Sequence, residues 1–355
     1  MAGLRDLRKK IDDIDLKIVK LLNNRAKIVL EIKEAKKDDR LKVYSPTRER
    51  EILKRIEKLN TGLFPGDALI ALYKEILSTS RSLQQPLKIA YFGPPATFTH
   101  LAARRQFGSS AEYVPESTIK AIFETVMRGH AQYGVVPIEN STEGVISYTL
   151  DMFMDSDLSI TSEIQLPIRH NLMSKTGRKT GIKKIYSHHQ PIAQCRGWLE
   201  DNYPGVQTIG GMSTATAAKR VSKETSSAAI ASELAADIYK LKFVSKGIED
   251  YKNNYTRFLV IAKDYLPRTG NDKSSIMFSV KDKPGALYKI LENFAKHKIN
   301  LTKIESRPSK RKAWEYIFFV DMEGHVEDSK VKKAIDAVKK ECLYLKVLGS
   351  YPIAD

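Results

Sequence analysis

The 355-residue sequence predicts a multidomain chain of three unlike modules: all-α helices over residues 1–86, an α/β unit over 87–267 and an α+β, ferredoxin-like unit over 272–355. Three observations carry this expectation. Apolar residues recur at spacings of three and four through residues 4–37. From Leu87 onward, short apolar runs alternate with helical stretches. The tail then orders itself as βαββαβ.

In the first module, Leu4, Leu7, Ile11, Ile14, Ile18, Leu21 and Leu22 fall on one stripe that continues through Ile28 and Ile32. Residues 4–37 therefore read as a single helix, about 50 Å long at 1.5 Å per residue. Ser45-Pro46 supplies the N-cap and first-position proline of a second helix reaching Leu59. Thr61-Gly62 and Pro65-Gly66 break it, and a third helix runs from Asp67 to Leu83. Gln84-Gln85-Pro86 is the first linker. The long apolar stripe exceeds what two shorter helices cover, which predicts an intertwined homodimer. Arg25 and Lys36 share a face. Arg8 lies about 100° around and about 25 Å away, so it is expected to reach a partner's site. Arg48 and Glu49 open the second helix, and Ser80 and Gln84 stand one turn apart on the third.

In the second module, Lys88 to Pro94 reads as a strand running into a turn. Further strands are expected at Tyr133–Ile138, Lys184–Ser187, Ala228–Ile230 and Phe258–Ala262, in a mainly parallel sheet. Leu266 to Lys273 is the second linker. The tail then reads as strand 275–280, helix 285–298, strands 301–306 and 314–322, helix 329–342 and strand 345–349.

Composition narrows the function. Hydrophobic residues at 42% and charged residues at 28% describe a globular chain. No apolar run reaches the roughly 18 residues that span a bilayer. Cys195 and Cys342 have no metal-ligand spacing and read as reduced thiols of a cytoplasmic protein. The net charge of +17 is spread along the chain, not gathered with aromatics into a stripe. It therefore suits small anions, and neither nucleic acid nor a membrane is an expected partner.

Two distant segments, Val136-Pro137-Ile138-Glu139-Asn140-Ser141 and Asn254-Tyr255-Thr256-Arg257-Phe258, set polar donors beside strand ends. With Gly93 to Thr99, Ser187-His188-His189-Gln190, Gln194-Cys195 and Met212 to Ala215, they resemble the signature segments of prephenate dehydratases over residues 88–264. The set Arg8, Arg25, Lys36, Arg48-Glu49 and Ser80 to Gln84 resembles the all-α chorismate mutase domain over residues 4–85. Pro284-Gly285-Ala286-Leu287, Asn300-Leu301 and Glu305-Ser306-Arg307-Pro308 resemble an ACT domain.

Together these resemblances imply the bifunctional chorismate mutase–prephenate dehydratase family: chorismate to prephenate, then prephenate to phenylpyruvate, inhibited by phenylalanine and without metal or organic cofactor. They imply a dehydratase domain of two subdomains around a cleft. In the mutase they imply that Arg8, Arg25, Arg48 and Ser80 bind carboxylates. Lys36 and Gln84 would face the ether oxygen, and Glu49 the ring hydroxyl. In the dehydratase they imply Thr256 as proton donor, Asn140, Ser187 and Gln194 as polar partners, and Arg257 as electrostatic anchor. The ACT segments imply a phenylalanine site between paired domains, with Gly285 admitting the ligand to backbone amides.

This chain departs from the family pattern at Ser45, where relatives often carry Asp, at Ala96, where Gly is usual, and at His189, where Pro is usual. The His188-His189 pair reads as surface loop. Two alternatives stand beside the main reading: a dehydratase with an inactive mutase module, and a non-catalytic amino-acid-sensing regulator.

Overall fold

The computed structural model describes residues 3–36, 44–309 and 316–354, with the side chain of Lys36 outside the described set. The chain forms two compact units, residues 1–87 with 107–112, and residues 88–106 with 113–355.

The first unit holds α1 (Leu4–Lys36), α2 (Pro46–Leu59) and α3 (Gly66–Gln84). Ser45 caps α2 by accepting from the Arg48 N–H, with Pro46 in the first turn, where its missing donor does no harm. Along α1 only Val29 is buried among the apolar residues, while Leu4, Ile11, Ile14, Ile18 and Leu21 are about half exposed or more. The unit also takes in Phe107–Glu112, which a boundary drawn along the sequence omits. The Phe107 carbonyl accepts from Ser78 Oγ at 2.8 Å and from Arg81 at 2.5 Å.

The second unit begins with β1 (Lys88–Phe92), α4 (Phe98–Phe107), β2 (Glu112–Glu116), α5 (Ile119–Met127), β3 (Tyr133–Asn140), β4 (Gly144–Val145), α6 (Ser147–Met154) and β5 (Ser159–Pro167). The chain then crosses to β6 (Asn171–Ser174), β7 (Lys184–Tyr186), α7 (His189–Gln194), α8 (Arg196–Asn202), β8 (Gln207–Ile209), α9 (Thr214–Val221), β9 (Ser227–Ala231), α10 (Glu233–Tyr239) and β10 (Lys242–Ser245). It returns as β11 (Tyr255–Ala262). Two sheets result, one ordered β2-β1-β3-β11-β5 with β4 beside β3, the other β10-β6-β9-β7-β8.

Both sheets are mixed, which corrects the mainly parallel sheet expected from sequence. β1 runs parallel to β3, and β7 to β8 and β9, but β11 inserts antiparallel to both β3 and β5. The reason is the return crossing: β11 enters the first sheet from the end at which β5 left it. Pro137 cannot donate to a central ladder, and the β3–β11 register shifts beside it, between Arg257 and Phe258.

The tail is β12 (Asp272–Ser279), α11 (Ala286–Lys296), β13 (Leu301–Pro308), β14 (Tyr316–Glu323), α12 (Ser329–Glu341) and β15 (Tyr344–Pro352), with sheet order β13-β14-β12-β15. Strand alternation gives this sheet two apolar faces. Ile276 and Phe278 pack on Ile290, Phe294, Ala334 and Val338 of the two helices. Met277, Phe319, Leu348 and Tyr351 instead join Ile138, Ile160 and Leu259 of the first sheet and Phe153 of α6. Gly349 permits that approach, because a Cβ there would stand 2.2 Å from the Ile160 carbonyl oxygen. Among the described residues no helix is long and apolar enough to cross a membrane.

Candidate active sites

A cavity of about 430 Å³ opens where the two crossings pass between the sheets. Its walls include Phe98 and Thr99 at the start of α4, Asn140 at the end of β3, Gln194 in α7, Thr214 at the start of α9, and Asn254 and Thr256 at the entry to β11. None of its described lining residues is Lys or Arg. The amino ends of α4 and α9 border it, the kind of place where helix ends favour an anion, and Glu143 is the one carboxylate among its described lining residues.

The polar groups of this cavity are wired in one direction. The Asn140 side-chain oxygen accepts from the N–H groups of Thr142 and Glu143, each at 3.0 Å, in the β3–β4 turn. That turn fixes the amide, so its nitrogen must donate. It reaches Thr256 Oγ1 and Asn254 Oδ1, both at 2.8 Å. Asn254 then donates to Gln194 Oε1 at 3.2 Å, and His170 Nε2 meets the same oxygen at 2.8 Å. Because Thr256 Oγ1 already accepts from Asn140, its own proton is available to the cavity. Accepting a hydrogen bond also polarises that O–H group. Register supports the arrangement: Thr256 stands opposite Asn140, while Ser141 N–H donates to the Tyr255 carbonyl at 2.8 Å.

The structure thus brings Asn140, Gln194 and Thr256 together, and leaves Ser187 and Arg257 out. Ser187 is fully buried, and its hydroxyl donates to the Ile230 carbonyl at 2.8 Å inside the second sheet. Arg257 is left out for a different reason. One residue from Thr256 on a strand, it faces away from the cavity. There it meets Glu163 Oε2 at 2.8 Å, Asp321 Oδ2 at 2.6 Å and the Tyr351 hydroxyl at 3.0 Å. Lys273 joins Glu163 at 2.9 Å, closing a cluster of two cations and two carboxylates between the first sheet and the tail domain.

Asn254 and His170 were not singled out from the sequence. Asn254 lay in the quoted Asn254–Phe258 segment, which was a usable signal. His170 carried none.

The departures each have a place. Ala96 adopts φ 74°, the left-handed region where Gly is free and Ala is strained. It is pinned by its N–H donating to His100 Nδ1 at 3.1 Å and by Ser232 donating to its carbonyl at 2.8 Å. Burial, then the Arg104 charge, lowers the His100 imidazole to about 4. His189 covers Gly210, where a Cβ would meet its ring at 2.3 Å. His188 is no plain surface residue: it lines the cavity. Among the described residues no group of His, Cys, Asp and Glu is arranged to hold a metal ion. A larger cavity of about 680 Å³ lies by α7 and α8, but its walls are mainly apolar and its charged pair Arg196–Glu200 is exposed, so nothing polar converges on it.

In the helical unit Arg25 donates to Ser80 Oγ, which itself donates to the Ile76 carbonyl at 2.6 Å. Gln84, one turn beyond Ser80, has a buried side-chain oxygen with no hydrogen-bond partner among the described residues. Glu49 pairs with Arg81, a residue quoted from sequence but given no role. Burial raises the Glu49 carboxyl above its ordinary range, with Arg81 opposing. Arg48 is exposed and bonds Glu51 at 3.1 Å, and Arg8 is exposed on α1. The Lys36 side chain lies outside the described residues.

In the tail domain the expected effector residues occupy two places. Gly285, at φ 77°, precedes Ala286 and Leu287 in the first turn of α11. Asn300, which bonds Glu323 at 2.9 Å, leads into Leu301 to Pro308 on β13, with Glu305 half-buried and Ser306 exposed. β13 pairs only with β14 and so forms an edge. Arg307 on that strand reaches Asp151 at 3.6 Å, and Lys303 reaches Glu139, the neighbour of Asn140, at 2.5 Å.

Three family models match in series: chorismate mutase type II over residues 7–85, prephenate dehydratase over 89–265 and ACT domain over 274–340. A protein of Aquifex aeolicus (strain VF5) named bifunctional chorismate mutase/prephenate dehydratase is 52% identical, over 100% of this chain and 99% of its own. The crystal structure of a prephenate dehydratase from Arthrobacter aurescens in complex with L-Phe aligns with TM-score 0.69 at 33% identity, over 75% of this chain and 90% of that one. A structure described as a quorum quenching acylase also aligns with TM-score 0.69, at 28% identity over 75% of this chain and 97% of that one. Fold likeness therefore does not choose the chemistry, and the residues of the cavity must.

Proposed function

The chain belongs to the family of bifunctional chorismate mutases/prephenate dehydratases, and from that premise we infer how its own residues perform both reactions. It rearranges chorismate to prephenate on the helical unit and converts prephenate to phenylpyruvate in the cavity, under feedback inhibition by L-phenylalanine at the ACT domain.

The observation that carries the dehydratase reading is the Thr256 hydroxyl, held at 2.8 Å by Asn140 with its proton free. In the reaction the bond to the ring carboxylate breaks and carbon dioxide leaves. The released electron pair completes the aromatic ring, and the ring hydroxyl departs. Thr256 donates the proton that makes it water, and solvent restores that proton. Gln194 presents its amide nitrogen toward Thr142 at 3.5 Å, ready to donate to a substrate carboxylate. The amino ends of α4 and α9 take over the electrostatic role expected of Arg257. Asn140 acts by orienting Thr256.

For the mutase, a pericyclic step needs only the compact conformer and stabilisation of charge on the ether oxygen. We assign Arg25 and Ser80 to a carboxylate, Gln84 with Lys36 to the ether oxygen, and Glu49, protonated or paired, to the ring hydroxyl. Arg8 and Arg48 complete the carboxylate contacts, Arg8 from a second copy. The bare stripe of α1 supports that homodimer. For the effector we assign Gly285 to Leu287 and Asn300 to Pro308. The unpaired Cys195 and Cys342 support a cytoplasmic location.

One experiment tests the whole reading: follow prephenate and phenylpyruvate from chorismate, with and without L-phenylalanine. Both products should appear, and phenylalanine should suppress phenylpyruvate first. A chain that makes neither is not this enzyme.

A further inference from the structure

His170 is a buried histidine, 1% exposed, just past the crossing from β5 to the second sheet. Its ring meets Phe98 edge-on at 5.7 Å. Among the described residues the ring has one polar contact: Nε2 stands 2.8 Å from Gln194 Oε1. Its other nitrogen, Nδ1, is buried without a hydrogen-bond partner among the described residues. A buried aromatic filler needs no such contact, and a hydrogen-bonded core histidine normally satisfies both nitrogens. The asymmetry calls for a reason.

The direction of the bond supplies it. Asn140 is fixed as donor by the turn amides of Thr142 and Glu143, so Asn254 must offer its oxygen to Asn140 and its nitrogen to Gln194. Gln194 must then face Asn254 with oxygen. That same oxygen faces His170, so the imidazole carries its proton on Nε2 and donates. Were Gln194 turned over, its NH2 group would confront the Asn254 NH2 group, and its oxygen would point at the cavity. With two donors on Oε1, the Gln194 amide nitrogen is held toward Thr142 and the cavity.

We propose that His170 is a positioning residue of the dehydratase: its Nε2–H locks the Gln194 amide so that the substrate meets an NH2 donor there and not a carbonyl oxygen. This inference rests on the dehydratase reading and deepens it. A dianionic substrate offers carboxylate oxygens, which a donor attracts and an oxygen repels. Discrimination for the anion thus resides in the flip state of one amide. The charged groups around His170 agree with a neutral ring. The Glu249 carboxylate accepts from the His170 backbone N–H at 2.8 Å and is itself paired with Arg169 at 2.8 Å. Burial lowers the proton affinity of the ring, against the raising effects of Gln194 and Glu249.

The test has two arms. In the full-length wild-type chain labelled with ¹⁵N-histidine, the ring nitrogens of His170 should report a neutral Nε2–H tautomer with bare Nδ1. An Nδ1–H tautomer or an imidazolium at neutral pH overturns the proposal. This arm needs no variant to fold. In the second arm, His170→Phe keeps the ring and removes the donor, and kcat/KM for prephenate should fall about 10- to 100-fold. His170→Gln, whose amide nitrogen reaches the Nε2 position, should recover most of it. Mutase turnover and the melting temperature provide the folding control.

The double variant His170→Phe with Gln194→Ala should be no slower than Gln194→Ala alone, because one residue acts through the other. Losses that multiply, or a His170→Gln variant as slow as His170→Phe, overturn the proposal. A wild-type chain inert toward prephenate sinks the dehydratase reading and this proposal with it. An active wild type whose His170→Phe variant keeps full kcat/KM sinks the positioning role alone.

Discussion

The dehydratase cavity and the helical unit dispose their polar residues in opposite ways. Around the cavity a single chain supplies an unbroken line of directed hydrogen bonds, from the Thr142 and Glu143 amides through Asn140 and Asn254 to Gln194, where His170 adds the second contact to the same oxygen. On the helices, Arg25 and Ser80 meet, Glu49 leans on Arg81, Arg8 stands in solvent, and the apolar stripe of α1 is uncovered. A site that a single chain completes can be read from that chain's bonds. A site that draws on a second copy, as we propose for the mutase, would show as residues facing outward beside an apolar stripe left exposed.

The sharpest break of the comparison is Thr256→Ala. Dehydratase turnover should drop by about 10²–10⁴, while mutase turnover, on a separate unit, changes little. Thr256→Ser should retain more, since the hydroxyl and its Asn140 partner remain. A dehydratase indifferent to Thr256→Ala would remove the proton donor from the mechanism.

Next comes the copy-to-copy contribution. Arg8→Ala and Arg25→Ala chains should each lose most mutase activity, and mixing them after verified subunit exchange should restore part of it. The heterodimer holds one site with both arginines intact. Dehydratase rates should not respond to mixing at all. If mutase activity fails to return, Arg8 does not serve the partner's site.

Acid should separate the two units by a smaller margin. The helical unit contains no histidine, whereas the α/β unit buries His100 as a neutral acceptor for the Ala96 N–H. The folded value of His100, about 4, lies below its ordinary 6.5. Between these values the unfolded chain binds more protons, so stability is full above pH 6.5 and is lost as pH falls through about 4. Unfolding of the α/β unit, followed by hydrogen exchange, should weaken over that window. His100→Gln should flatten the dependence, and an unchanged slope would assign it to other groups.

The smallest effect belongs to Ala96→Gly. Relief of the left-handed backbone favours Gly by about 1–2 kcal/mol. Loss of a buried methyl opposes it by about 0.8 kcal/mol, and the looser unfolded chain by about 0.4–1 kcal/mol. Denaturant melts should move by less than about 1 kcal/mol either way. A larger stabilisation would mean the methyl is poorly packed.

What sequence reading reached follows the range of the interactions concerned. The three helices, the α2 cap at Ser45 and the βαββαβ tail rest on periodicities and caps contained in a few turns of chain, and they were legible. Asn140, Gln194 and Thr256 were named through resemblance, and their meeting in one cavity required the fold. The outward turn of Arg257 was not legible because its carboxylate partners, Glu163 and Asp321, lie 94 and 64 residues away, and no local pattern announces them. The inward bond of Ser187 was hidden likewise, its acceptor being the carbonyl of Ile230 on a neighbouring strand. The antiparallel return of β11 is a choice of sheet neighbours, made by tertiary packing and invisible to strand propensity.

The cluster of Arg257, Glu163, Lys273 and Asp321 also bears on how such chains can be rearranged. The Glu163 side chain is fully enclosed, and one of its two cations, Lys273, comes from the sensor strand β12. Arg257, directly beside the proton donor, takes its second carboxylate from β14. A stop codon in the segment after Ala262 would therefore do more than delete a regulator. It would uncover the apolar back of the catalytic sheet and leave Glu163 with Arg257 as its one charged partner. The catalyst is thus not a portable cassette. A chimera with a foreign sensor must bring a base to meet Glu163, an acid to meet Arg257, and a glycine where Gly349 passes the Ile160 carbonyl.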